Sequence, residues 1–210
     1  MGSLDNTTML GEVGTGSVAD GTSQKIRLGK NKELIAGLAH GQYAEASMRG
    51  NLFCAFAIVT APVIWSTEAG TGGPLLWNGS STVKANILAV GFGVTVVTTV
   101  AAALGLTGGP GQAAAPSSTT AIDSVSNMLM GGAAPACTAY RVGTTVDNKF
   151  FYPLAHAHTG ALTVDTFGLG WIDLGGMFTV PPGSYISVAA SATATTLVVQ
   201  CGMIWEEIPV

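Results

Sequence analysis

The chain has 210 residues, of which 48% are hydrophobic and only 10% are charged. A chain this apolar has enough material for a packed core, which excludes intrinsic disorder. The net charge is −4, and a body so poor in lysine and arginine excludes general binding to a nucleic-acid backbone. Because so few charges are available to cover it, we expect much of the surface to lie against other protein chains.

The N-terminal segment differs from the rest of the chain in composition and charge. Residues 1 to about 24 are rich in Gly, Ser and Thr and lack hydrophobic periodicity, which predicts an extended arm. Five of the eight basic residues of the chain follow within a short stretch: Lys25, Arg27, Lys30, Lys32 and Arg49. We therefore expect residues 1–49 to form an extended arm whose basic segment docks on an acidic protein surface.

Two further features concern the compartment in which the chain folds. The opening sequence has no basic region followed by an apolar one, so we expect no secretory signal. The three cysteines, Cys54, Cys137 and Cys201, are far apart and form no close pair. This spacing argues against a disulfide framework and favours folding in a reducing compartment.

The longest uncharged run, ILAVGFGVTVVTTVAAALGL at 87–106, is long enough for a membrane-spanning helix. Its periodicity favours a strand instead. Even positions from 88 to 100 are mostly bulky, whereas odd positions from 87 to 99 are mostly small. Alternation with period two is typical of β-structure, so we expect one long strand with its bulky face in a core, and no membrane partner.

From residue 51 onward the chain is a succession of short β-type runs separated by Gly, Pro and Asn clusters. The pattern predicts about eight to ten strands and no long helix. We therefore expect residues 50–210 to form an all-β, antiparallel β-sandwich of the jelly-roll type, with a barrel as the near alternative.

The C-terminal part predicts two strands, YISVAASA and TLVVQCGMIWEEI, that pair antiparallel with each other. In the second, residues on both faces are largely apolar, so the strand is either central or covered by a partner. We expect an oligomer interface that includes Val198, Ile204 and Trp205. A homotrimer packed around a common axis would bury it.

Few residues suggest chemistry. His156 and His158 lie two apart, as metal ligands on one strand do in cupin sandwiches, but no third ligand follows at a usable spacing. Nucleophile and phosphate-binding motifs are missing, and Glu206 and Glu207 are expected to form a solvated or salt-bridged chain end. The sequence thus predicts no enzyme, no cofactor and no metal site.

Two blocks carry a family resemblance. The first is KIRLGKNKELIAGLAHGQYAEASMRGNLF at 25–53, and the second contains FTVPPGSYISV and GMIWEEIP within 178–209. Together they resemble small virion structural proteins of tailed bacteriophages. The resemblance implies a component of the virus particle and brings no catalytic residues with it.

These observations lead to one hypothesis and two alternatives. The hypothesis is a trimeric cement or decoration protein on the surface of the virion capsid, with the major capsid protein as its partner. The first alternative is a fibre- or adhesin-type sandwich that binds host carbohydrate through exposed aromatic residues, with Trp65, Trp77 and Trp171 as candidates. The second is a cupin-like metalloenzyme built on the histidine pair.

Overall fold

The computed structural model describes residues 43–60, 62–66, 69–96, 102–111, 114–116, 120–122, 125–146, 148–157, 170–192 and 197–210. The chain divides into two units between Gln42 and Tyr43, and all of the described residues belong to the second unit. Most of the predicted arm therefore lies outside the described residues. Its boundary after residue 49 stays a prediction.

The described residues form one short helix and thirteen strands. In chain order they are α1 (Ala44–Met48), β1 (Leu52–Thr60), β2 (Val63–Ile64), β3 (Ala69–Gly72), β4 (Leu75–Asn78), β5 (Val83–Val96), β6 (Ala102–Pro110), β7 (Thr120–Ala121), β8 (Val125–Asn127), β9 (Thr138–Val146), β10 (Phe150–Ala157), β11 (Gly170–Val180), β12 (Ser184–Ala190) and β13 (Val198–Pro209). No helix among them is long and apolar enough to cross a membrane.

The strands form two sheets that pack against each other, which confirms the predicted all-β sandwich. Sheet A has the order β11-β5-β13-β1-β8. Sheet B has the order β10-β6-β12-β4-β9-β3, with β2 beside β12 and β7 beside β9. Inward side chains from both sheets share one core, in which Trp205 and Ile87 of sheet A meet Leu104 and Val188 of sheet B.

The apolar run at 87–106 is divided between the two sheets, so the prediction of one long strand is wrong. Its first part belongs to β5 in sheet A and its last part to β6 in sheet B. The expected alternation is confirmed from Val90 to Val94, where the even positions are buried in the core, but not at the start of the run, where odd-numbered Ile87 is the core residue. Since apolar sequence continues through both strands, periodicity alone gave no sign of the change of sheet.

The expected pairing of the last two strands is also wrong. β12 lies in sheet B between β6 and β4, and β13 lies in sheet A between β5 and β1. Each strand is central in its own sheet, and for β13 the apolar residues on both faces had predicted a central or partner-covered strand. A central strand needs a neighbour on each side, and here strands from earlier in the chain take those positions.

One buried amide joins the two sheets at the end of β4. The side-chain nitrogen of Asn78 donates to the carbonyl oxygens of Val83 and Val180, both at 2.9 Å, and its side-chain oxygen accepts from the amide of Ser80. Val83 begins β5 and Val180 ends β11. Because Asn78 is fully buried, these bonds fix sheet B against sheet A at this end of the sandwich.

Candidate interaction surface

The outward face of sheet A carries large apolar side chains in register. Strand pairing places Trp171, Gly91, Gly202 and Phe56 in one row across β11, β5, β13 and β1. Trp171 is 45% exposed and Phe56 is 41% exposed, while Ile58, two residues further along β1, is 51% exposed. Aromatic and branched apolar side chains therefore face solvent at both sides of this row.

The indole ring of Trp171 packs over two glycines. A Cβ atom at Gly91 would lie 3.1 Å from Cδ2 of Trp171, and one at Gly202 would lie 2.6 Å from its Cη2. The indole ring therefore lies across two neighbouring strands, and a side chain at Gly202 would displace it. The small residues at odd positions of β5 thus leave space for the aromatic ring of Trp171, which comes from the edge strand β11.

The same face includes two of the residues predicted for an oligomer interface. Val198 and Ile204 alternate along β13 with buried residues, so they point outward with Gly202, and both are half-buried. We call the outward side chains of Phe56, Ile58, Trp171, Val198 and Ile204 the apolar face. Outward positions of β13 from Val198 to Ile204, and of all of β1, carry no charged side chain.

Trp205, the third residue predicted for the oligomer interface, does not lie on the apolar face. It is fully buried between the sheets, where its ring stacks on Phe53 with the centroids 5.8 Å apart. Within one chain it belongs to the core and exposes no atom to a partner, whereas Val198 and Ile204 do. The oligomer itself stays a prediction.

The predicted docking residues are mostly beyond the described part of the chain. Lys25, Arg27, Lys30 and Lys32 lie outside the described residues, and Arg49 is exposed in the turn after α1. Just before α1, the hydroxyl of Tyr43 donates to Asp173 of β11 at 3.0 Å. The chain that follows residue 42 is thus attached to the β11 edge of sheet A.

The prediction of a solvated or salt-bridged chain end is wrong for Glu207. Its carboxylate is buried and accepts hydrogen bonds from the amides of Ala136 at 2.9 Å and Cys137 at 2.8 Å. The indole nitrogen of Trp205 donates to it as well, at 3.3 Å. Glu206 points to the other side of the strand and is half-buried. Glu207 therefore joins β13 to the segment that leads into β9.

Two buried thiols, one of them next to Glu207, have altered acidity. Burial raises the pKa of Cys137, and the neighbouring carboxylate of Glu207 raises it further. Burial alone raises the pKa of Cys201. Since the thiolate is the reactive form of cysteine, both groups are poor nucleophiles at neutral pH.

The remaining aromatic and histidine candidates are scattered. Trp65 is 40% exposed and stacks on Phe151, and Trp77 is half-buried against a small core cluster. His158 and the side chain of His156 lie outside the described residues. Where the structure does describe side chains, it groups no three His, Cys, Asp or Glu residues in a way that could hold a metal ion.

Comparison of the chain with protein-family models, with curated proteins and with solved structures finds no match. A functional assignment therefore depends on the residues of this chain alone.

Proposed function

We propose that this protein is a structural subunit of a tailed-bacteriophage particle, namely a homotrimeric decoration or cement protein that binds and stabilises the lattice of the major capsid protein. The observation that carries the proposal is the apolar face of sheet A. Contiguous exposed apolar side chains of this kind are typical of protein interfaces, and charged residues are depleted at the centre of such interfaces.

The order of the strands supports the finer description of the body as a jelly roll. In sheet A, β1, β13, β5 and β11 are neighbours, and in sheet B, β4, β12, β6 and β10 are neighbours. Along the chain these eight strands alternate between the sheets except at the step from β6 to β10. Two interleaved four-stranded sheets of this kind are the arrangement found in viral capsid and lectin jelly rolls.

A threefold arrangement suits the apolar face. If three copies turn this face toward a common axis, Phe56, Ile58 and Val198 of each copy are removed from water together. Full burial of such a side chain contributes about 1.5–3 kcal/mol. In the single chain Phe56 and Ile58 are 41% and 51% exposed, and Val198 is half-buried. Three residues in each of three copies would therefore stabilise a trimer substantially.

The proposed trimer predicts a specific effect of Val198→Asp. A carboxylate on the apolar face would be desolvated without a partner in the interface, so the trimer should dissociate to a folded monomer. Sedimentation velocity at micromolar concentration measures the change, and circular dichroism checks the fold. Val210→Asp is the matched control, because Val210 is 77% exposed at the chain end. A trimeric Val198→Asp variant would argue against this face as the interface.

Binding to the capsid is assigned to the basic segment of the arm. Replacing Lys25, Arg27, Lys30 and Lys32 together by alanine should abolish binding of the full chain to capsid shells while leaving the trimer intact. The reason is that electrostatic complementarity steers and orients such contacts. Co-sedimentation with shells that lack the protein measures the binding. Undiminished binding of the variant would show that the body, not the arm, contacts the shell.

Carbohydrate binding is the second candidate function, and the position of Trp171 favours it. The indole is supported by two glycines and is 45% exposed, so it offers a flat apolar surface to a sugar ring. A glycan array distinguishes the two functions. Binding to a defined glycan that is lost in Trp171→Ala, with shell binding unchanged, would favour the adhesin.

A further inference from the structure

A second exposed apolar feature lies at the edge of sheet A. Met128, Leu129 and Met130 follow β8 and are 45%, 40% and 95% exposed. We call these three residues the apolar tip. Three consecutive large apolar residues at the surface are unfavourable for an isolated soluble chain, which indicates that the tip has a binding partner.

The tip is held in place by the residues on either side. The side-chain nitrogen of Asn127 donates to the carbonyl oxygens of Gly50 and Ala133, both at 2.8 Å, and its side-chain oxygen accepts from the amide of Leu129. The amide of Gly132 donates to the carbonyl of Leu129, which closes a turn. A tip that is already ordered loses little conformational entropy on binding.

An apolar cleft lies on the other side of the sandwich. It opens between β6, β10, β11 and β12, has a volume of about 250 Å³, and is lined by Phe150, Phe178, Tyr185 and Ile186, with Lys149 and Thr179 also in its wall. Phe150 and Phe178 stack across the two sheets with their centroids 5.5 Å apart. Because a cavity of about 150 Å³ binds benzene, this cleft has room for a methionine side chain.

The pairing register places the tip and the cleft at opposite edges of one sheet. Asn127, at the base of the tip, pairs with Phe53, Phe53 pairs with Trp205, and Trp205 pairs with Ile87. Ile87 in turn pairs with Phe178 in the wall of the cleft. The four steps from β8 to β11 span about 19 Å at the usual spacing of strands.

We propose that the apolar tip of one copy of this chain inserts into the apolar cleft of the next copy. This contact presupposes the proposed trimer and is the one that would join neighbouring subunits within it. Complementary features at opposite edges of a subunit produce head-to-tail contacts, and these generate closed rings when the rotation between subunits closes. A ring joined in this way is compatible with apolar faces that point at the common axis.

A second copy is the occupant that the residues favour. Both halves of the contact are present on this chain, and both are apolar. Lys149 is the charged residue that lines the cleft, and the three residues of the tip carry no charge. Apolar packing rather than charge attraction must therefore hold the contact. Unbranched methionine side chains adapt well to an irregular cavity.

The experiment uses two full-length variants, alone and mixed. Met130→Asp disables the tip and leaves the cleft intact. Pro110→Arg places a long charged side chain in the cleft and leaves the tip intact, because Pro110 lines the cleft from the inward face of β6. Both positions are exposed, so the fold should survive, and circular dichroism checks this. We expect sedimentation velocity to show trimers for the wild type and for Val210→Asp, and monomers for each of the two variants.

The equimolar mixture gives the decisive result. One intact tip and one intact cleft remain between the two variants, so the mixture should form heterodimers and no trimers. Trimers of Met130→Asp alone would overturn the tip-and-cleft contact while leaving the proposed trimer in place. A mixture that stays monomeric would also overturn the contact. A monomeric wild type would overturn the trimer itself, and the contact with it.

Discussion

Replacing Trp205 by alanine is expected to lower the free energy of unfolding by about 3–5 kcal/mol, the usual loss for a large aromatic residue in a core. Trp205 is fully buried, its ring stacks on Phe53, and its indole nitrogen donates to Glu207. Alanine removes all three interactions and leaves a cavity between the sheets. Urea denaturation followed by fluorescence and circular dichroism measures the loss as a lower midpoint.

Trp65→Ala is the matched control, because Trp65 is 40% exposed and stacks only on Phe151. We expect it to cost about 1 kcal/mol, in the range of an aromatic pair at a surface. Equal losses for the two variants would contradict the position of Trp205 in the core. A Trp205→Ala variant that dissociates but keeps its full monomer stability would also contradict it.

Replacing Glu207 by alanine is expected to cost about 3 kcal/mol or more, because hydrogen bonds to a charged group contribute about 1.5–3 kcal/mol each. Two of the three donors left behind, the amide of Cys137 and the indole of Trp205, are buried. The amides of Ala136 and Cys137 and the indole of Trp205 would all lose their acceptor. The segment that leads into β9 would then be held less firmly on β13. Urea denaturation measures the total loss of stability.

Glu206→Ala is the control for this variant, since Glu206 is the adjacent residue on the opposite side of the same strand. We expect a change within about 0.5 kcal/mol, as for most surface positions. Hydrogen exchange of residues 136 and 137 adds a local readout, and protection there should fall in Glu207→Ala only. Equal effects of the two glutamate variants would mean that the buried hydrogen bonds contribute little.

The fold class could be predicted from the sequence because alternation reports which residues of a strand are buried. Val90, Phe92 and Val94 alternate with small residues, and the structure places them in the core. Alternation says nothing about which strand lies beside which. For that reason β13 was correctly expected to be central or covered by a partner, whereas β12 and β13 were wrongly expected to pair with each other.

The candidate site was only partly predictable for a related reason. Val198 and Ile204 belong to an apolar strand face that is visible in the sequence, whereas Phe56 and Trp171 join it through register with strands far away in the chain. Glu207 was misjudged because its amide donors lie about seventy residues earlier. Long-range pairing decides these contacts, and no local pattern encodes it.

The apolar tip and the apolar cleft could not be predicted from the sequence for the same reason. Met128, Leu129 and Met130 look like the end of a strand in the sequence, and only the structure places them in an exposed turn. The cleft combines residues from β6, β10, β11 and β12. Neither feature has a sequence signature, because each depends on where strands end in three dimensions.

The central claim is that the protein is a stabilising subunit of a phage shell, and the temperature at which particles release their DNA tests it most directly. A protein that binds only the closed lattice stabilises that lattice by mass action. Particles assembled without the protein should therefore release DNA at a lower temperature than complete particles, and added protein should restore the higher value. Equal release temperatures with and without the protein would contradict the claim.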